Sequence, residues 1–122
     1  MPDIAPILNL LVIRSRDMHQ AVKFYQTLGL VFDLHSHGTG PNHFSSNSGD
    51  FVFEIYESRN EKDVTSQTRF GFRVKNVDRI VPLLHDNGFV IISEPRNSEW
   101  GRRAIVKDFD GHSIELVSPD ND

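Results

Sequence analysis

Displaced by 59 residues, the sequence overlays itself. Leu10 falls on Arg69, Asp17 on Asn76, Met18 on Val77, Phe24 on Leu83, Tyr25 on Leu84 and Gly29 on Gly88. A period of this length makes each half one supersecondary unit, and such units must bury their apolar faces against one another. Each half reads as strand, N-cap residue, amphipathic helix, glycine stop and further strands. In the first half Asp17 caps the helix, with Gln20 three residues on as in a capping box. Met18, Ala21, Val22, Tyr25 and Leu28 recur at helical spacing, and Gly29 ends the element. In the second half Pro82 removes a helical hydrogen bond, so that helix is expected to begin late, near Arg79, or to kink.

After the helices come LVFDLH, NHFSS and DFVFEIYE in the first half, then FVIIS, RRAIVKD and HSIELVS in the second. The order is βαβββ twice. This predicts an α+β fold of two tandem modules forming a curled mixed sheet around a cleft, in one domain spanning 1–122. Module 1 covers about 7–57, a polar linker 58–67, and module 2 about 68–118. GTGPN reads as a hairpin loop.

Strand alternation then sorts the faces. Phe51, Phe53 and Ile55 turn toward a helix while Val52, Glu54 and Tyr56 turn away; Phe70, Phe72 and Val74 leave Arg69, Gly71 and Arg73 on the other side. Phe53-Glu54-Ile55 matches Ile114-Glu115-Leu116, so each module places one acid at the same point of its last strand.

Composition excludes several classes. There is no cysteine, hence no thiolate chemistry and no disulfide. A net charge of -4 argues against a nucleic-acid backbone as partner. The N-terminal apolar run MPDIAPILNLLVI is cut by Arg14, short of a membrane span, and reads as a buried strand of a cytoplasmic protein.

SRDMHQAVKFYQTLGL, VFEIYE and WGRRAIVKDFDGHSIEL resemble the vicinal oxygen chelate superfamily, which groups glyoxalase I, bleomycin-resistance proteins, fosfomycin-resistance enzymes and extradiol dioxygenases. The resemblance runs from Leu8 to about Val117. It implies sheets curled around a cleft and, usually, a homodimer. In glyoxalase-like relatives four cleft positions hold a divalent metal, and they fall here on Leu10, Glu54, Arg69 and Glu115. Leu10 has no lone pair and Arg69 is a permanent cation, so only the two glutamates could serve. Arg69 is therefore expected to pair with Glu54 or Glu115 in the metal's place. A guanidinium about 4 Å from a carboxylate gains roughly 4 kcal/mol at an effective dielectric near 20, before desolvation is subtracted.

The function so implied is a protein that holds a small polar or anionic organic molecule without the usual metal, with Glu54, Arg69, Glu115, His43, Tyr56 and Trp100 lining the cleft. The alternative is a metal-dependent lyase, isomerase or dioxygenase, lactoylglutathione-lyase-like, using one divalent ion on Glu54 and Glu115. Catalysis by His43 or Glu115 without metal is a third possibility. His35, His37 and His43 could approach zinc geometry, although such spacing is common at strand surfaces. His19, His85 and His112 read as solvated. Arg73 and Arg103 could add positive charge beside an anionic ligand, or form surface ion pairs.

Overall fold

A computed structural model describes residues 5–36, 38–63 and 65–119. The two expected modules are present. Module 1 comprises β1 (Leu10–Ser15), α1 (Met18–Leu28), β2 (Asp33–His35), β3 (His43–Ser48) and β4 (Phe51–Glu57). Module 2 comprises β5 (Phe70–Arg73), α2 (Val77–Asp86), β6 (Ile91–Ser98), β7 (Gly101–Lys107) and β8 (Ser113–Ser118). The fold is α+β, with two four-stranded mixed sheets ordered β1-β4-β3-β2 and β5-β8-β7-β6. The sheets are not closed into one ring of ladders. β1 and β4 run parallel, as do β5 and β8, because each helix carries the chain back across its sheet. No helix among the described residues is long and apolar enough to cross a membrane.

The repeat extends to individual bonds. Asp17 accepts from the amides of His19 and Gln20, and Asn76 from that of Arg79. After α1, Gly29 in the left-handed region donates to the Gln26 carbonyl and Leu30 to that of Tyr25. Gly88 and Phe89 make the equivalent bonds to His85 and Leu84, closing both helices the same way.

Four local expectations give way to tertiary context. α2 begins at Val77 rather than Arg79: the Asn76 cap secures the first turn, and the buried stripe of Val77, Ile80, Val81 and Leu84 outweighs the bond lost at Pro82. β2 holds only Asp33–His35, since Leu30 and Phe32 pack on the core instead. β6 runs past Pro95 to Ser98 with register irregularities, as an edge strand permits. The described part of the N-terminal run, residues 5–9, is not buried before β1, and Ile7 and Leu8 are largely exposed.

One core serves both modules. The Tyr25 ring lies 4.8 Å from Phe53 and 5.8 Å from Phe72, and Phe53 lies 5.8 Å from Phe70. The helix-facing sides of the two sheets thus meet through aromatic contacts, and alternation turns their other sides outward. Across the same seam the Tyr25 hydroxyl donates to Asp108 at 2.5 Å. Asp108 also accepts from His112 Nδ1 at 2.8 Å and from the amides of Asp110 and His112. With Nδ1 protonated, His112 Nε2 accepts from the Thr65 hydroxyl at 2.7 Å, and that hydroxyl accepts from the Arg14 amide. His112, expected in solvent, is fully buried in this network because the turn at Gly111 folds it under β8. Thr65 ties the linker down, and nearby the hydrogen bonds of Arg59 hold the Asp63 carboxyl down to about 2.

Burial, followed by the charge and hydrogen bond of Asp108, pushes the Tyr25 hydroxyl well above the usual phenol range. The fold favours the neutral phenol, so its contribution is complete below the ordinary value of 10.0 and is lost as pH rises through the higher folded value. Tyr25→Phe is expected to cost about 1–3 kcal/mol in urea unfolding at neutral pH. It should also abolish the part of the alkaline loss of stability above about pH 10 that belongs to this group. Unfolding curves of the two proteins from pH 7 to 11 check both.

Candidate functional site

The outer face of the first sheet is organised in rows set by register. His35 pairs with His43, His43 with Tyr56, and Tyr56 with Arg14, so one row crosses all four strands. The row is stacked: His35 and His43 lie 5.9 Å apart, His43 and Tyr56 4.4 Å apart and nearly parallel, and the Arg14 guanidinium lies 4.9 Å from the Tyr56 ring centre. The neighbouring row runs Asp33, Ser45, Glu54 and Val12. His43 Nε2 lies 3.3 Å from a Glu54 carboxylate oxygen. The His43 ring is buried while Glu54 retains some exposure, so Glu54 is the accessible end of a carboxylate–imidazole pair. His37 lies outside the described residues, and the contact shown between His35 and His43 is a ring stack.

The outer face of the second sheet is arginine-rich. Register places Arg96, Arg103, Val117 and Arg73 in one row, with Ser93, Ile105, Glu115 and Gly71 beside it. Arg103 grips Glu115 with Nε at 2.6 Å and with a terminal nitrogen on the same oxygen. Arg69 reaches that oxygen at 3.5 Å from a half-exposed position. The expected cation beside Glu115 is therefore present, but Arg103 is the closer donor. Arg69 is shown pairing with Glu115, whereas Glu54 is matched with His43 on the other sheet. Arg73 and Arg96 have no ion-pair partner among the described residues. A shallow cavity of about 500 Å³ is lined by Gly71, Phe72, Arg73, Trp100, Arg103, Glu115 and Val117. Trp100 is 67% exposed at its edge, 6.0 Å from the Arg103 guanidinium.

The residues singled out from sequence thus fall into two groups. His43, Tyr56 and Glu54 share one outer face, and Arg69, Glu115 and Trp100 share the other. The four positions that carry metal in glyoxalase-like relatives do not fit a divalent ion here. Leu10 supplies no ligand atom, Arg69 repels a cation, and an oxygen of Glu115 is already held by Arg103. Among the described residues no group of three or more histidine, aspartate or glutamate side chains converges on a metal-sized space.

With this geometry in place, comparison with known proteins is decisive for the family. The sequence profile of the Glyoxalase/Bleomycin resistance protein/Dioxygenase superfamily matches residues 7–116. The chain belongs to that superfamily. An uncharacterized protein of Mycolicibacterium smegmatis is 23% identical over 111 residues, covering 91% of this chain and 92% of its own length. TnmS3, an antibiotic binding protein from Streptomyces sp. CB03234, superposes with a TM-score of 0.72 at 24% identity, covering 98% of this chain and 100% of its own. The oxidase ChaP-H2 superposes with a TM-score of 0.74 at 19% identity, covering 97% of each chain. A superfamily fold that carries both a binding protein and an oxidase leaves function to the side chains.

Sequence reasoning understated Arg103, whose role depends on lying across from β8, and missed His112. The spacing of Asp108 and His112 around a turn glycine is the signal by which it could have been found.

Because Arg69 is half exposed, Arg69→Leu is expected to change stability by less than about 1 kcal/mol. Arg103→Ala, which leaves Glu115 with only the longer contact, should cost more than Arg69→Leu. Paired urea titrations rank the two; a larger loss in Arg69→Leu would make Arg69 the principal partner.

Proposed function

We propose that the chain holds a small anionic organic molecule against the outer face of its second sheet, without a divalent metal. The observation that carries this reading is the row Arg73, Arg96 and Arg103, joined by Arg69, around the single paired carboxylate of Glu115. Four guanidiniums on one face of a chain of net charge -4 concentrate positive potential where the protein as a whole is negative. Arg73 and Arg103 border the cavity and suit a planar carboxylate, while Trp100 offers an apolar wall beside them. Glu115 keeps Arg103 oriented and leaves part of its donor set for the ligand. TnmS3, described as an antibiotic binding protein, supports a binding role in this fold. A second copy of the chain closes the cavity in this reading, bringing the His43, Tyr56 and Glu54 face of one protomer over the arginine face of the other.

The chain has one tryptophan, so its emission reports on this cavity alone. Titration with benzoate is expected to give a saturable change that weakens as salt is raised and that neutral benzamide does not reproduce. Arg73→Ala or Arg103→Ala should weaken benzoate by about tenfold or more, near 1.4 kcal/mol. Equal binding of benzamide, or indifference to both substitutions, defeats the reading. So does a stoichiometric divalent metal, found by elemental analysis of protein purified without a metal-affinity tag, that disappears in Glu115→Ala.

A further inference from the structure

On the opposite, helix-facing side of the sheets, a second cavity of about 650 Å³ opens at the seam between the modules. It runs from the edge strand β1 to the edge strand β5, under the loop that follows α1. Its floor includes Leu11, Leu30, Phe51, Phe53, Phe70 and Phe72. Phe53 is buried in the core, and Phe51, Phe70 and Phe72 pack against it while each keeps part of its surface open, so the groove is a continuation of the core that the chain does not fill. Val31 and Leu8 border it and are 78% and 72% exposed. Arg73 and Lys75 lie on its lining, and neither has an ion-pair partner among the described residues. Ser46, Asn47 and Ser48 add polar groups.

An apolar trough with unpaired cations on its lining is the complement of an amphipathic anion. We infer that this groove binds a medium-chain aliphatic carboxylate, its chain along the phenylalanines and its carboxylate on Lys75 and Arg73. The volume lies in the range of small-molecule sites and is far larger than a bound water needs. Among the described residues no carboxylate pairs with either cation, so the bound carboxylate meets charges left open there. The groove lies on the other side of the sheets from the arginine-face cavity, and the two share only Gly71, Phe72 and Arg73 of β5. Arg73, on the edge strand, borders both cavities, whereas Lys75 lines only this one and Trp100 only the other.

Calorimetric titration with submillimolar decanoate, hexanoate and decanol tests it. Decanoate is expected to saturate one site and to bind roughly two-hundredfold more tightly than hexanoate, since each buried methylene is worth about fourfold and the chains differ by four. Decanol should bind at least tenfold more weakly than decanoate. Lys75→Glu, at an exposed position where folding is not at stake, should weaken decanoate by about tenfold, as should Val31→Asp at the mouth; Trp100→Ala should leave it unchanged. Absence of decanoate binding overturns the proposal, as does binding that is indifferent to Lys75→Glu. Loss in Trp100→Ala alone would put the carboxylate on the outer face, overturning the groove while leaving the arginine-face reading standing. A dimer in light scattering that Val31→Asp splits, with no decanoate bound by either form, would assign the groove to a second copy of the chain and likewise end the proposal.

Discussion

A buried carboxylate shared between the two halves of the repeat is what the rest of the structure depends on. Asp108 belongs to the turn between β7 and β8, yet its oxygens accept from Tyr25 of α1, from His112 and from two backbone amides. An ion withdrawn from water is costly unless every lone pair is occupied, and here the partners come from both modules and, through Thr65, from the linker. The network is therefore satisfied only when the modules meet in one relative orientation. Aromatic burial around Tyr25 supplies the drive for that meeting, and the hydrogen bonds make it specific.

That orientation decides what the outer faces can do. With the helix-facing sides of the sheets joined, Glu54 and Glu115 look outward from different sheets, although they occupy the same point in each module, opposite Val12 and Gly71. Module 2 has no side chain at its copy of the Val12 position. A Cβ on Gly71 would lie 2.9 Å from the Glu115 carbonyl oxygen, and the missing side chain leaves Glu115 open to Arg69 and Arg103. The duplicated acid has thus acquired two environments: an imidazole beside Glu54, and guanidiniums around Glu115.

The parts legible in the sequence are those governed by local rules. The Asp17 and Asn76 caps, the glycine stops and the alternation that turned Glu54 and Tyr56 away from Phe53 all depend on a few neighbouring residues, and all appear as expected. What was not legible depends on contacts across the fold. His112 looked solvated because its partners Thr65 and Asp108 converge only when the linker folds under the β7–β8 turn. Arg103 looked like one surface charge among several, until β7 and β8 paired antiparallel and set it diagonally across from Glu115. Pro82 led on local grounds to a helix beginning late, near Arg79, or kinking, yet α2 begins at Val77 because four buried apolar residues hold the helix to its sheet.

The division of charge also bears on how a cavity so shallow could enclose anything. One outer face carries Asp33 and Glu54 with two imidazoles and Arg14, and the other carries four arginines against Glu115. A two-fold axis that sets module 1 of one copy over module 2 of another would oppose these unlike faces twice, giving two equivalent enclosures. Such an interface would avoid the like-on-like contact of two arginine faces, which Coulomb repulsion opposes. A cation fixed to the backbone at Arg103 also differs from a bound metal in a way that matters to chemistry. A metal polarises oxygens that bond to it directly, whereas a guanidinium offers directed hydrogen bonds at constant charge, and so favours holding an anion over activating it.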